Sequence, residues 1–550
     1  MSEKITVGEA IAAFLERCGQ KAAFGVISIH NMPILDAFGR RGNLRFVPAR
    51  GEAGALGMAD AYARVTGGLG VAVTSTGTAA GNAAGAMVEA LTAGSPVLHL
   101  TGQIETPYLD QDLAYIHEAP HQLDMLRAVS KAAFRVRTPE TALSTLREAV
   151  RVALSAPTGP VSVEIPIDIQ AALIEVPVVP KPLPLAVHAP LDEEVGRLAV
   201  ALSSARRPLL WLGGGARQAA AAVQRLMSMG FGVVSSVQGR GIVPEDDPRS
   251  LGAFNLYPAV EDFYKTCDAL LVVGSRLRSN ETLKYQLALP RPLYRVDVDA
   301  RMDGRCYASD QFVQGDAGRV LTALADRLEG RMKVDPRFHQ DLAAVREVVV
   351  ASVRKGLGPY EKLRAALQDA AGRDFNWVRD VTVSNSTWGN RALSVFDSHA
   401  GVHAVGGGIG QGLAMAVGAA VGSAETRPRK TVCLAGDGGF ILNVGELATA
   451  AQEKADIVFV LMNNGGYGVI KNIQDHQYGQ RNYYVDLHTP NFAQLAQSLG
   501  VAHQRLDRLD DVEAVLARAM AVPGPQIVEI DMKAVGDFAQ VFAGPPVRAQ

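Results

Sequence analysis

Residues 431–470 read TVCLAGDGGFILNVGELATAAQEKADIVFVLMNNGGYGVI, and this stretch decides the fold. A short apolar run, Thr431 to Ala435, ends in Gly436-Asp437-Gly438-Gly439. A helix-length segment follows, and a second apolar run, Asp456 to Met462, ends in Asn463-Asn464-Gly465-Gly466. Two β-like runs joined by a helix form a βαβ unit, which places both polar clusters at the carboxyl ends of parallel strands. Open α/β sheets bind ligands at that edge. Asp437 and Asn464 each present a hard oxygen, and the glycines allow close backbone approach, an arrangement suited to Mg2+ shared with a phosphate group. Taken alone, GDGG reads equally well as an ordinary strand-to-helix turn.

The order strand, GDG, helix, strand, NN is more specific than either cluster. It resembles the thiamine diphosphate motif of the superfamily that contains pyruvate oxidase, acetolactate synthase and benzaldehyde lyase. The resemblance implies that Asp437, the Asn464 side chain and the Gly466 carbonyl bind Mg2+, which bridges to the diphosphate. Gly436, Gly438, Gly439, Tyr467 and Gly468 would line the same cofactor site.

A chain of 550 residues is long enough for about three to four domains. The formal net charge of -2 gives no reason to expect nucleic acid or an anionic membrane as partner. Cys18, Cys267, Cys306 and Cys433 form no CxxC pair, which argues against a disulfide framework or structural zinc. The start, MSEKITVGEA, lacks a signal-peptide core, and Gly401–Gly422 lacks the flanks of a membrane span. A cytoplasmic location without membrane contact is expected.

Working back toward the start, Thr6 and Glu9 have capping-box spacing ahead of an apolar helical stripe. Ala23 to Ile27, Leu44 to Pro48, Val71 to Ser75, Pro96 to Thr101 and Val161 to Pro166 read as strands separated by helices. Glu52 opens a helix within RGEAGA, where a carboxylate ordinarily serves as a cap or first-turn charge. By resemblance Glu52 is the activating glutamate. A carboxyl group in an apolar pocket would share a proton with the aminopyrimidine ring. Many relatives have a histidine just before that glutamate, where this chain has Gly51.

His30 follows a strand-end loop and falls where benzaldehyde lyase has an active-site histidine; without that resemblance, a packing or surface role is the default. His117 replaces the glutamine of acetolactate synthases and is the second candidate for proton transfer. Asn31 and Gln103, the latter in a family-like TGQ segment, would orient a histidine or the substrate. Gly77 begins a small-residue helix of the same domain. Prolines 177, 180, 182, 184 and 190 mark an extended linker.

The middle region repeats the α/β rhythm, with Gly213-Gly214-Gly215 and Gly274 at strand ends but no GxGxxG fingerprint. Acetolactate synthases bind FAD there through an RFDDR run, replaced here by Arg276-Leu277-Arg278-Ser279-Asn280. FAD or ADP is therefore an option that the sequence does not favour. In the last region Thr382–Asn385 reads as the opening strand and polar loop, and Asn385 and Gly407 join the cofactor set by resemblance. Ile409 falls at the position whose bulk wedges between the two cofactor rings. Ile473 stands where acetolactate synthases have a tryptophan, which weakens specificity for acetohydroxy acids. The tail with Phe538, Phe542, Pro545 and Pro546 is a candidate cover for the site mouth.

The expectation is three doubly wound parallel-sheet α/β domains: pyrimidine-binding over 1–175, central over 191–345, and diphosphate-binding over 372–538. The implied activity is that of a lyase or carboligase on a 2-oxo acid or 2-hydroxy ketone, with C–C hydrolysis of a diketone as the alternative. Such enzymes act on a small carbonyl substrate as homodimers or homotetramers with shared active sites.

Overall fold

A computed structural model describes residues 4–544. Three parallel sheets follow one another along the chain. The first contains strands in the spatial order Arg45–Pro48, Ala22–Gly25, Gly70–Thr74, Val97–Gln103, Val161–Pro166 and Ala132–Arg135. The third has Gly401–His403, Phe375–Arg379, Lys430–Gly436, Ile457–Asn463, Gln526–Asp531 and Ala502–Leu506 in the same topological order. In both, the first strand pairs outward with the second and inward with the third, which creates a switch point beside the first strand. Loops diverge there and leave a crevice at the carboxyl edge. The central sheet, Gly232–Ser235, Pro208–Leu212, Ala269–Val273, Leu293–Asp297 and Gln311–Gln314, is also fully parallel. Near-continuous apolar strands such as Ile457–Asn463 suit sheets covered on both faces.

Residues 176–191 contain no helix or strand, as their prolines require. The charged region after residue 337 forms two helices, Phe338–Leu357 and Tyr360–Ala371, which lead into the last sheet. One expectation needs correction. The opening strand of the last domain is Phe375–Arg379, whereas Asn385–Gly389 is a helical turn. Thr382 and Ser384 belong to the loop and turn after the strand, because the fully buried FNWVR segment claims the sheet position. The edge strands Ala132–Arg135, Gln311–Gln314 and Ala502–Leu506 are shorter or more exposed and carried no apolar signal.

The first and third domains share one core. The Glu52–Thr66 helix packs along Gly412–Thr426, and their alanines and glycines bring the backbones close. A Cβ on Gly418 would stand 2.0 Å from the Met58 carbonyl oxygen, so this crossing admits no side chain there. Glu446 adds a polar tie: its buried carboxylate accepts from the Arg50 and Gly51 N–H groups, just ahead of Glu52. Thr6 caps the first helix through Glu9 N, as its spacing predicts. Among the described residues no helix is long and apolar enough to cross a membrane. Pro545 and Pro546 lie outside the described residues; before them, Phe542 accepts from the Asn472 amide through its carbonyl.

Candidate active site

A cavity of about 430 Å3 opens at the carboxyl edge of the third sheet. Its wall comes from Val381–Ser384 after the first strand, Gly436, Gly438 and Gly439 after the third, and Met462, Asn464 and Gly466 after the fourth. Gly407, Ile409, Tyr467, Gly468, Val469, Ile470 and Met532 complete it. Ile409 is 40% exposed, unusual for isoleucine, and points its bulk at the cavity rather than the core.

Asp437 starts the Asp437–Leu442 helix and is 0% exposed. Its Oδ1 accepts from the Asn464 backbone N–H at 3.2 Å, while Oδ2 has no partner. Burial pushes its carboxyl pKa up, against the pull of nearby backbone N–H groups. An unpartnered buried carboxylate oxygen is costly and signals a missing positive group. The inward end of the Asn464 amide lies 3.1 Å from Asp437 Oδ1 and 3.0 Å from the Gly466 carbonyl oxygen. With nitrogen inward, the amide donates to both. With oxygen inward, three oxygens converge at the spacing of neighbouring ligands around an octahedral ion with bonds of about 2.0–2.1 Å. One carboxylate, one amide and one carbonyl can thus hold Mg2+ and leave positions for phosphate oxygens.

The first sheet offers a second cluster at the corresponding edge. His30 sits in the turn after Ala22–Gly25, is 5% exposed, and has no partner for Nδ1. Its ring meets that of His117 edge to face. Burial, then the neighbouring His117 charge, pushes the His30 pKa down, and Glu105 opposes this. His117 is held by a left-handed backbone (φ 68°), and its carbonyl oxygen would lie 2.3 Å from a Cβ on Gly77. Gly77 itself has φ 63°, so both space and backbone conformation require glycine.

Asn31 and Gln103, expected to orient a histidine or the substrate, both hydrogen-bond within the chain. Asn31 accepts from Ser28 N–H and donates to the Val26 carbonyl, which shapes the His30 turn. Gln103 accepts from Thr76 and from Ile104 N–H, with its nitrogen toward Glu164. Their amides are thus occupied within the chain. Gln122, which no sequence motif singles out, binds Thr76, Gly77 N–H, the Gly102 carbonyl and Glu164, tying two strand ends together.

Glu52 stands at the first position of its helix, half-buried, and its Oε2 accepts from Asn82 at 3.2 Å. Neither Glu52 nor His30, His117 or Gln103 lines the cavity above Asp437. Asn385 does not line that cavity either, and its Oδ1 is buried without a partner. The wall residues Thr382, Ser384 and Met532 are not marked as site residues by any sequence motif. Met532 follows directly on the strand ending at Asp531, a register that points to it.

In the central domain, Gly213 N–H donates to the Val273 carbonyl and Gly215 N–H to that of Gly274. These glycine loops bind each other, so the two N–H groups are not offered to the diphosphate of FAD or ADP. Arg278, in place of the family's acidic run, reaches across to the Val405 carbonyl.

Three consecutive parts of the chain match known domains of thiamine pyrophosphate enzymes. Residues 5–127 match the N-terminal TPP binding domain, 195–324 the central domain and 382–530 the C-terminal TPP binding domain. This chain belongs to the thiamine pyrophosphate enzyme family. Its relatives within that family align end to end. A probable 2-ketoarginine decarboxylase, AruI, of Pseudomonas aeruginosa is 29% identical over 538 residues, covering 96% of this chain and 94% of that protein. The acetolactate synthase isozyme 1 large subunit of Escherichia coli is 27% identical over 539 residues, 97% and 95% of the two chains. A probable acetolactate synthase large subunit of Methanocaldococcus jannaschii is 27% identical over 545 residues, 95% and 91%. The three domain matches correspond to the three sheets, and the cavity above Asp437 lies within the C-terminal TPP binding domain of this thiamine pyrophosphate enzyme.

Proposed function

We propose that the protein is a thiamine diphosphate- and Mg2+-dependent carbon–carbon lyase or carboligase, with a 2-oxo acid as its first substrate. The observation carrying this reading is the convergence of Asp437 Oδ1, the Asn464 amide and the Gly466 carbonyl beside an unpartnered buried Asp437 oxygen, with Asn464 and Gly466 lining a cavity. The choice of a 2-oxo acid is supported by the relatives, one named for decarboxylating 2-ketoarginine and others for making acetolactate.

Thiamine diphosphate held there would supply the nucleophilic carbon and the electron sink needed to break a carbon–carbon bond beside a carbonyl. The chain's task is to hold and protonate. Asp437, Asn464 and Gly466 would hold the metal, Gly436, Gly438 and Gly439 would let backbone approach the phosphates, and Ile409 would set ring orientation. Glu52 would present its carboxyl group to the pyrimidine ring. His30, neutral near pH 7, accepts or returns a proton at Nε2 or Nδ1, and His117 stands as its neighbour. Asn31, Gln103 and Gln122 keep those groups in place.

In a single chain the His30–His117 cluster and the Asp437 cavity have no lining residue in common. A second copy would bring the first domain's edge over the third domain's cavity, so a homodimer is the smallest complete unit.

The test is release of CO2 from a panel of 2-oxo acids by the purified protein with thiamine diphosphate and Mg2+. Turnover of at least one member is expected. Cleavage of diketones without any decarboxylation would overturn the choice of substrate, and indifference to the cofactor would overturn the whole reading.

A further inference from the structure

The loop that delivers Ile409 to the cavity is gripped on both sides of that residue. Glu89, on the Thr78–Ala93 helix of the first domain, is 5% exposed, and its carboxylate faces the loop. Oε2 accepts from Gly406 N–H at 2.9 Å and Oε1 from Gly408 N–H at 2.8 Å. On the other side, the fully buried carboxylate of Asp380 accepts from Gly410 N–H at 3.0 and 3.1 Å. One residue before this stretch, Arg278 of the central domain donates to the Val405 carbonyl. All three domains therefore hold one short segment, Val405 to Gly410.

The fit leaves little freedom. A Cβ on Gly406 would stand 2.4 Å from Glu89 Oε1, and one on Gly408 3.1 Å from it. Gly407 and Gly410 have φ of 89° and 82°, so the segment has no regular structure to hold it. Its geometry rests on the two carboxylates. Charged acceptors bind backbone N–H groups more strongly than neutral ones and keep both partners fixed.

We propose that Glu89 is a positioning residue of the active site: its carboxylate fixes the Gly406–Gly408 backbone and thereby the direction of Ile409 toward the cofactor. The proposal rests on the reading of the cavity as the thiamine diphosphate site. The isosteric Glu89→Gln side chain offers one acceptor oxygen for two N–H groups, and its own NH2 would face the second. The loop then loses one anchor, while the helix and the core stay packed.

Amide hydrogen exchange on the cofactor-free protein, followed by mass spectrometry, reads the grip directly. Peptides covering 404–411 should exchange at least tenfold faster in Glu89→Gln, and those from Gly412–Thr426 should not change. With cofactor and substrate, kcat should fall at least tenfold while KM moves less than threefold, because misdirected groups lose rate before binding. Glu89→Asp, which keeps the charge but is shorter, should fall between the two. Unchanged exchange and kcat in Glu89→Gln, with a wild type that binds thiamine diphosphate, would overturn the proposal and leave the cavity reading intact. A uniform rise in exchange across the whole domain, with kcat falling only in proportion to folded protein, would also overturn it, since Glu89 would then be merely structural. A wild type that ignores the cofactor would sink the cavity reading, whereas the exchange contrast would still report the grip.

Discussion

The imidazole rings of His30 and His117 stand edge to face, with centroids 5.3 Å apart and planes at 75°. A proton on one disfavours a proton on the other, and burial of His30 adds to the effect. If neutral His30 is the proton-transfer group, kcat/KM falls on an acidic limb whose pKa lies below the ordinary histidine value of 6.5. His117→Ala removes the opposing charge and should move that limb up; Glu105→Gln removes the favouring one and should move it down. A pH–rate profile of each variant checks the pair of opposite shifts, and a limb that stays put in both would remove His30 from the reaction.

Asp437 illustrates how a site trades stability for binding. Its buried Oδ2 is unpartnered in the chain, so Asp437→Ala removes a burden from the cofactor-free protein. Its melting temperature should equal or exceed that of wild type. Addition of thiamine diphosphate and Mg2+ at about 100 times Kd should stabilise wild type by about 2.7 kcal/mol and leave the variant unmoved. Differential scanning with and without the ligands measures both effects.

Sharing of the active site between chains can be tested by complementation. Glu52→Ala and Asp437→Ala should each be inactive alone. Reassembled in equal amounts, half the dimers would be hybrids with one intact site, restoring about a quarter of wild-type activity. Mixtures as inactive as the separate variants would place Glu52 and Asp437 in the same site of one chain.

At the helix crossing, a methyl group on Gly418 meets the Met58 carbonyl oxygen with no flexible side chain to yield. Gly418→Ala should cost about 1–3 kcal/mol, the range for overpacked cores. The urea midpoint of the transition that reports this shared core should drop, whereas the analogous change at the open Gly81 position should not produce that loss.

Acid should loosen the first domain through His99. It lies fully buried on Val97–Gln103 between Thr74 and Ser162, and burial lowers its pKa to about 4. The unfolded chain takes up this proton near 6.5 and the folded chain only near 4, so stability is complete above 6.5 and declines as pH falls between these values. The total is about 3 kcal/mol. Asp380 acts with the opposite sign, since its pKa is raised to about 6 and its contribution weakens as pH rises from 3.8 toward 6. His99→Gln should therefore flatten, or even invert, the fall in stability between pH 6.5 and 4, as measured by denaturation midpoints.

The sequence alone determined whatever is written in neighbouring residues. Apolar runs ending in GDGG and NNGG marked the strands and their carboxyl edge, because strand burial and turn chemistry both act over a few residues. Asp437 and Asn464 were legible for that reason as hard oxygens at one sheet edge, whereas the roles of Gly466 and Glu52 rest on the family resemblance. Tertiary structure alone decided which distant groups meet. Glu89 is an unremarkable acid on an alanine-rich helix until the fold brings Gly406 and Gly408 against it, and Asp380 gains its place only because Phe375–Arg379 forms the strand just before it. Which groups Asn31 and Gln103 hold was likewise a matter of the fold: their amides hydrogen-bond Val26, Ser28, Thr76 and Ile104. Periodicity reports which face of an element is buried, but the partner across that face is chosen by packing between segments hundreds of residues apart.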